Sequence, residues 1–283
     1  MAKLSFGIKT ACQNTTHESM IKIWQEADEI PVFEHAWLFD HLNPIQGDVA
    51  GPCYEGWTLL AAYAAMTRRI RVGHMVTGNT YRHPAVLAHM AATVDIVSNG
   101  RLDFGFGAGW NVYEHESNGI PLYEVPERLR RFREACELIK RLWTEPVVTY
   151  EGQYYQLKEA RLEPKPVQNP HPPFVIGGGG EKVTLKIAAQ HAAVWNFSGG
   201  TPDQLTHKLN VLRDHCETVG RNPEEIMISI QPSVNYADLP ETAATIQALV
   251  DVGANHIVLN LRPPVPDGIV KRLADELIPL IKG

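Results

Sequence analysis

The stretch FVIGGGGEKVTLKIAAQHAAVWNF, residues 174–197, carries the fold in miniature. Phe174–Ile176 is a short β-rich run, four glycines follow, Glu181-Lys182-Val183 begins a helix, and Val194–Phe197 is a second β-rich run. Strand, turn, helix and strand make the repeating unit of a parallel sheet. Working outward, the rhythm recurs along the chain. Strand candidates are Leu4–Ile8, Ala36–Phe39, Arg71–Thr77, Leu102–Gly107, Phe174–Ile176, Val194–Phe197, Met227–Gln231 and His256–Leu261, each followed by a helical segment. Eight β-α units in 283 residues fit one closed (β/α)8 TIM barrel, so 1–283 reads as a single α/β domain. A doubly wound open sheet would have fewer strands and an early Gly-rich turn, whereas Ile8 runs into Lys9-Thr10-Ala11.

Helix starts are marked too. Thr15 and Glu18 form a capping-box pattern ahead of the stripe Met20, Ile23, Trp24 and Ala27. Thr201-Pro202-Asp203-Gln204 repeats that logic, and Pro126 opens a third helix. The spacing breaks between Gly107 and Phe174, where an insertion is expected. Within Val147–Leu157, Glu151-Gly152 separates two β-rich runs and reads as a hairpin. An extended return through Pro164, Pro166, Pro170, Pro172 and Pro173 follows it.

Twenty-six basic against thirty-two acidic residues give a net charge of −6, which argues against a nucleic-acid partner. No run of apolar residues is long enough to span a membrane, and MAKLSFGIKT at the start holds no apolar signal core. A cytoplasmic protein is expected. Cys12, Cys53, Cys136 and Cys216 form no CxxC pair and are read as reduced structural thiols, with no metal site.

In a parallel barrel, chemistry comes from residues that end strands. Asp40-His41 pairs a carboxylate with an imidazole that can move a proton near neutral pH. Gly105, Gly107 and Gly109, interleaved with Phe106 and Ala108 before Trp110, would let a flat ring lie against bare backbone. Gly177, Gly178, Gly179 and Gly180 ahead of a helix present free N–H groups to a phosphate. No Lys-Ser/Thr follows them, so this is not a Walker loop.

Taken in order, Phe39-Asp40-His41, Thr80-Tyr81-Arg82-His83-Pro84-Ala85, Ser98-Asn99-Gly100-Arg101-Leu102, Gly105–Trp110 and Ile176–Gly180 resemble the luciferase-like monooxygenase superfamily, in its coenzyme F420-dependent oxidoreductase branch. The resemblance spans residues 4–200. It implies hydride transfer between coenzyme F420, a deazaflavin, and a small organic substrate, carried out by a homodimer. FMN with oxygen-using monooxygenation is the alternative, and a barrel that binds cofactor without turnover is a third reading. His41 and Trp110 would be the catalytic pair, His41 as proton donor or substrate partner. Asp40, Met75, Val76, Asn79, Gly107, Ala108, Gly109 and Gly177–Gly180 would hold the cofactor. Met75–Val76 matches the family position of a non-prolyl cis peptide. Some sugar-phosphate dehydrogenases of the branch have a glutamate where this chain has Trp110, and a polar residue in place of Phe197 would suit a substrate phosphate better, so the aromatic pair points to a less polar substrate. Lys182 and Arg82 are the cations expected to meet the cofactor's anionic tail.

Overall fold

The computed structural model describes residues 3–283, so Met1 and Ala2 of the expected 1–283 domain lie outside it. The chain begins β1 Ser5–Thr10, α1 His17–Glu29, β2 Phe33–Leu38, α2 Gly56–Met66, β3 Arg71–His74, β4 Thr77–Gly78 and α3 Pro84–Val97. It continues β5 Leu102–Gly107, α4 Val112–Ser117, α5 Val125–Thr144, the hairpin β6 Val148–Glu151 and β7 Gln156–Ala160, then β8 Phe174–Gly177 and α6 Thr184–His191. It ends β9 Ala192–Phe197, α7 Pro202–Val219, β10 Met227–Ile230, α8 Leu239–Val250, β11 His256–Leu261 and α9 Ile269–Arg272. Around the barrel the order is β1, β2, β3 with β4, β5, β8, β9, β10, β11, every pairing parallel; Val72 opposite Leu102 and Ser5 opposite His256 close it. The (β/α)8 TIM barrel is present, with the antiparallel hairpin between β5 and β8.

Three details differ from the sequence expectation. The strand expected over Arg71–Thr77 is split into β3 and β4 at the cis Met75–Val76 peptide, although Met75 N still donates to Leu38 O of β2 at 2.9 Å. The cap of α1 is Thr16, whose hydroxyl accepts from Ser19 N, not Thr15. Glu181–Val183 form a turn, and α6 starts at Thr184 with no side-chain cap at Val183. The Thr201–Gln204 capping box is formed as expected, and all four cysteines are free thiols.

Period-two alternation sorts the strand side chains. Phe104, Phe106, Phe174 and Ile176 face the helices and join a core with Phe132, Leu138 and Trp143 of α5. Trp37, Val175, Val194 and Val258 pack together inside the barrel with Met75. Beneath them the His35 and His256 rings stack at 4.0 Å, and Trp37 Nε1 donates to His35 Nδ1 at 2.6 Å. A Cβ on Gly7 would lie 1.8 Å from His35 Nδ1, so glycine makes the room for this layer. Burial, then the neighbouring His256, holds His35 well below the ordinary histidine value, and burial brings His256 down to about 4.

A pH dependence follows. An unfolded histidine takes up its proton near pH ~6.5, while folded His256 resists until about 4. Between those values the unfolded chain binds more protons. Stability is therefore level above the upper value and falls as pH drops through the window, by about 1.4 kcal/mol per pH unit for each such histidine. Urea midpoints measured from pH 7.5 down to pH 4 test this, and His256→Gln should flatten part of the slope. An unchanged slope in that variant would assign the acid sensitivity elsewhere.

Candidate active site

A cavity of about 570 Å³ opens where the strands end. One wall is the Met75–Val76 bulge, with Gly107 beside it on β5 and Gly177 on β8. A Cβ on either glycine would come within 2.9 Å of Val76 Cγ2, so only glycines let the valine stand there. Ala108, Gly109 and Trp110 continue the wall.

Gly178 adopts φ +115° and lines the cavity with Gly177 and Thr184. Gly179 and Gly180 lie outside the lining and carry the loop toward α6. Among the described residues no protein acceptor takes their backbone N–H groups, and the end of α6 has no side-chain cap. Open amides at a helix N-terminus favour an anion. Lys208 of α7 stands behind the loop, 3.8 Å from where a Gly179 Cβ would be, and pairs with Glu181 at 2.6 Å. A flat ring against the Val76 wall with its phosphate on this loop therefore fits the residues present.

Gly178→Val should separate this reading from that of a simple hinge. Valine at a positive φ costs about 1–3 kcal/mol locally, and its side chain would crowd Thr184, already 3.3 Å from an ideal Cβ. Affinity for a phosphate-bearing cofactor should fall by about 10-fold or more while the circular dichroism spectrum is kept. Unchanged affinity would relegate the loop to a hinge.

The opposite lip is built on β2. Asp40 is buried, and Arg82 grips both of its carboxylate oxygens, at 2.6 and 2.9 Å, while also pairing with Glu55. Asp40 thus reaches the cavity as half of an internal ion pair. Arg82 is not the free cation expected for the cofactor tail; Lys182 is exposed beside the glycine loop. Asn79 is buried behind the wall, donating to Tyr155 Oη at 3.2 Å with its own Oδ1 unpartnered, and does not line the cavity.

His41 is fixed from behind. Its Nδ1 lies 2.8 Å from Oε2 of Glu114, a carboxylate fully buried at the start of α4. Tyr81 Oη donates to the same oxygen, and the Leu42 and Asn43 amides donate to Oε1. Burial would raise the Glu114 carboxyl, but the His41 and Tyr81 hydrogen bonds outweigh it and hold the group below the usual range. Burial, then Glu114, pushes the Tyr81 phenol well above its ordinary value, so it stays a donor. The arrangement leaves Nε2 of His41 as the free ring nitrogen. The Trp110 ring meets His41 edge-on at 5.6 Å and is largely exposed at the cavity rim. Phe197 is turned away, packed on Trp195 and facing an adjoining pocket, so the expected aromatic pair does not share one wall.

Sequence reading missed Glu114, Lys9 and the partnership of Tyr81. Glu114 lies four residues after Trp110, beneath an Asn111 cap that accepts from its N–H. That cap is a readable helix start, but nothing local says that the carboxylate turns inward to β2. Lys9 sends Nζ into the mouth and donates to Gln231 at 2.8 Å.

The luciferase-like monooxygenase model matches residues 10–259. The F420-dependent glucose-6-phosphate dehydrogenase of Microbacterium testaceum strain StLB037 is 32% identical over 242 residues, covering 85% of this chain and 70% of that one. Among solved structures, an F420-dependent secondary alcohol dehydrogenase in complex with an F420-acetone adduct superposes with TM-score 0.88 at 20% identity, covering all of both chains. A monooxygenase from Streptomyces bottropensis superposes with TM-score 0.78 at 24% identity, over 98% of this chain and 99% of that one. No described helix is long and apolar enough to cross a membrane. Since the family model's match runs through six of the eight barrel strands and reaches into the first and last, the chain belongs to the luciferase-like monooxygenase family.

Proposed function

We propose that this protein is a hydride-transferring oxidoreductase that uses coenzyme F420 at the barrel mouth and acts on a small organic substrate. The observation that carries this reading is His41, tied through Nδ1 to buried Glu114 at the edge of a cavity walled by Val76, Gly107 and Gly177. When bound, the deazaflavin supplies a two-electron hydride carrier that reacts poorly with oxygen. Everything else is the chain's own work. The Val76 wall and the flanking glycines orient a flat ring, and the 177–180 loop holds its phosphate. When a substrate carbinol loses its hydride, its hydroxyl proton passes to Nε2 of His41, leaving a carbonyl; in the reverse direction His41 returns that proton. Glu114 keeps the imidazole in the tautomer with Nδ1–H, so that Nε2 has the lone pair.

A second reading is an FMN-dependent, oxygen-using monooxygenase, favoured by the likeness to the Streptomyces barrel. A cofactor carrier without turnover has no use for a buried carboxylate that orients a histidine. Titration of the apo-protein with coenzyme F420 and with FMN decides between the enzymes. Micromolar binding of the deazaflavin is expected; binding of FMN alone would move the assignment to monooxygenation. Within this reading the barrel works as one domain over residues 1–283, as a cytoplasmic homodimer, in line with the family resemblance.

A further inference from the structure

Across the mouth from the glycine loop, β1, β10 and β11 present a different surface. In the barrel order β1 lies four strands from β8, directly opposite. Lys9 on β1 and Arg262, just after β11, line the cavity together with Gln231 and Asn260. Neither cation has a carboxylate partner among the described residues, whereas Arg82 on the other lip of the same cavity is paired with Asp40 and Glu55.

Lys9 is held in place by a chain of side chains. Its Nζ donates to Gln231 Oε1 at 2.8 Å, Gln231 Nε2 donates to Asn196 Oδ1 at 3.1 Å, and Asn196 Nδ2 donates to Ser229 Oγ at 3.0 Å. Ser229 is itself 2.9 Å from His256 Nδ1 in the lower layer. The relay fixes which end of the Gln231 amide faces Lys9 and leaves two ammonium protons without acceptors. Burial, with Arg262 adding repulsion, brings Lys9 down to about 8. A partly buried cation facing another cation, with no anion nearby, is costly to keep unless a ligand completes it.

We infer that Lys9 and Arg262 form an anion subsite for the substrate, which carries a carboxylate or phosphate group at the end remote from its reacting carbon. The inference rests on the proposed function for what sits on the opposite wall, but the subsite itself is made by this chain alone. It also refines the expectation of a less polar substrate. Trp110, Phe39 and Ile45 supply apolar walls, and the charge is gathered on the β1–β11 side. Because the glycine loop lies across the barrel, the cofactor's phosphate and this anion occupy separate places.

Calorimetry with inorganic phosphate and with acetate tests the subsite without turnover. The background is Gly178→Val, which weakens the loop as a competing anion site. Millimolar binding of one or both is expected, weakened about 10- to 100-fold by Lys9→Met and by Arg262→Gln. Whichever anion binds more tightly identifies the group. A turnover arm on the F420-loaded enzyme compares propan-2-ol with 3-hydroxybutyrate, and glucose with glucose 6-phosphate. The anionic member of at least one pair should be favoured, and Lys9→Met should raise its KM while leaving the neutral member unchanged. Anion binding equal in all variants would overturn the subsite, as would loss of F420 affinity in Lys9→Met with no effect on phosphate or acetate. Failure of F420 to bind at all, with Lys9-dependent anion binding intact, would overturn the cofactor assignment and leave the subsite standing.

Discussion

His41→Asn should lower turnover by about 10²–10⁴-fold, the range for loss of a general acid or base, with little change in cofactor affinity. Asparagine can keep a contact to Glu114 and fills similar space, so the fold is preserved, but its amide does not exchange protons at neutral pH. The measurement is steady-state kcat and KM with a competent substrate, alongside a fluorescence titration of the cofactor. A variant with near wild-type kcat would show that the substrate's proton goes elsewhere. One that lost cofactor affinity in proportion to kcat would show that His41 is a binding residue.

How much of this was legible from sequence depends on how local each signal is. The barrel came through because strand alternation and helix stripes are short-range, and eight such units leave one closed solution. Boundaries failed where neighbours are chemically equivalent. Thr15 and Thr16 offer the same hydroxyl, and only the backbone geometry of the entering chain selects Thr16. The start of α6 has no side-chain cap, so no residue marks it, and the sequence pattern places the helix three residues too early. In the site, Asp40, His41, Val76, Gly107 and Gly177 were found because they end strands and therefore face the mouth. Glu114 was not, since its partners His41 and Tyr81 are 73 and 33 residues away in the chain. Arg82 reads as a free cation in the sequence for the same reason: the closeness of Asp40 and Glu55 is a tertiary fact. Asn79 directly follows β4, one residue past Gly78 of the wall, and one step along an extended chain is enough to turn a side chain from the cavity to the core.

Replacing Glu114 tests the deepest part of the site. In Glu114→Gln one carboxylate oxygen becomes an NH₂ group. The Leu42 and Asn43 amides need an acceptor, so they select the carbonyl end, and the NH₂ is left facing His41 Nδ1 and Tyr81 Oη. Two donors cannot share that space. The imidazole is driven to accept at Nδ1 and to carry its proton on Nε2, the wrong tautomer for receiving one from substrate. Turnover should fall on the order of 10²–10⁴-fold, as when the buried carboxylate behind a catalytic histidine is amidated elsewhere, with cofactor binding retained. Glu114→Ala removes the partner outright and leaves buried donors unsatisfied, which should also cost about 3–5 kcal/mol of stability. The stabilising contribution of Glu114 has a definite pH sense. Its carboxyl lies below the ordinary value when folded, so the contribution is full above the unfolded value of ~4.5 and is lost as pH falls below it. Histidine-selective ¹⁵N NMR reads the tautomer directly and urea unfolding reads the stability. If Glu114→Gln left His41 protonated on Nδ1 and turnover intact, Glu114 would be a packing residue, and the orientation of His41 would rest on Tyr81 and the backbone.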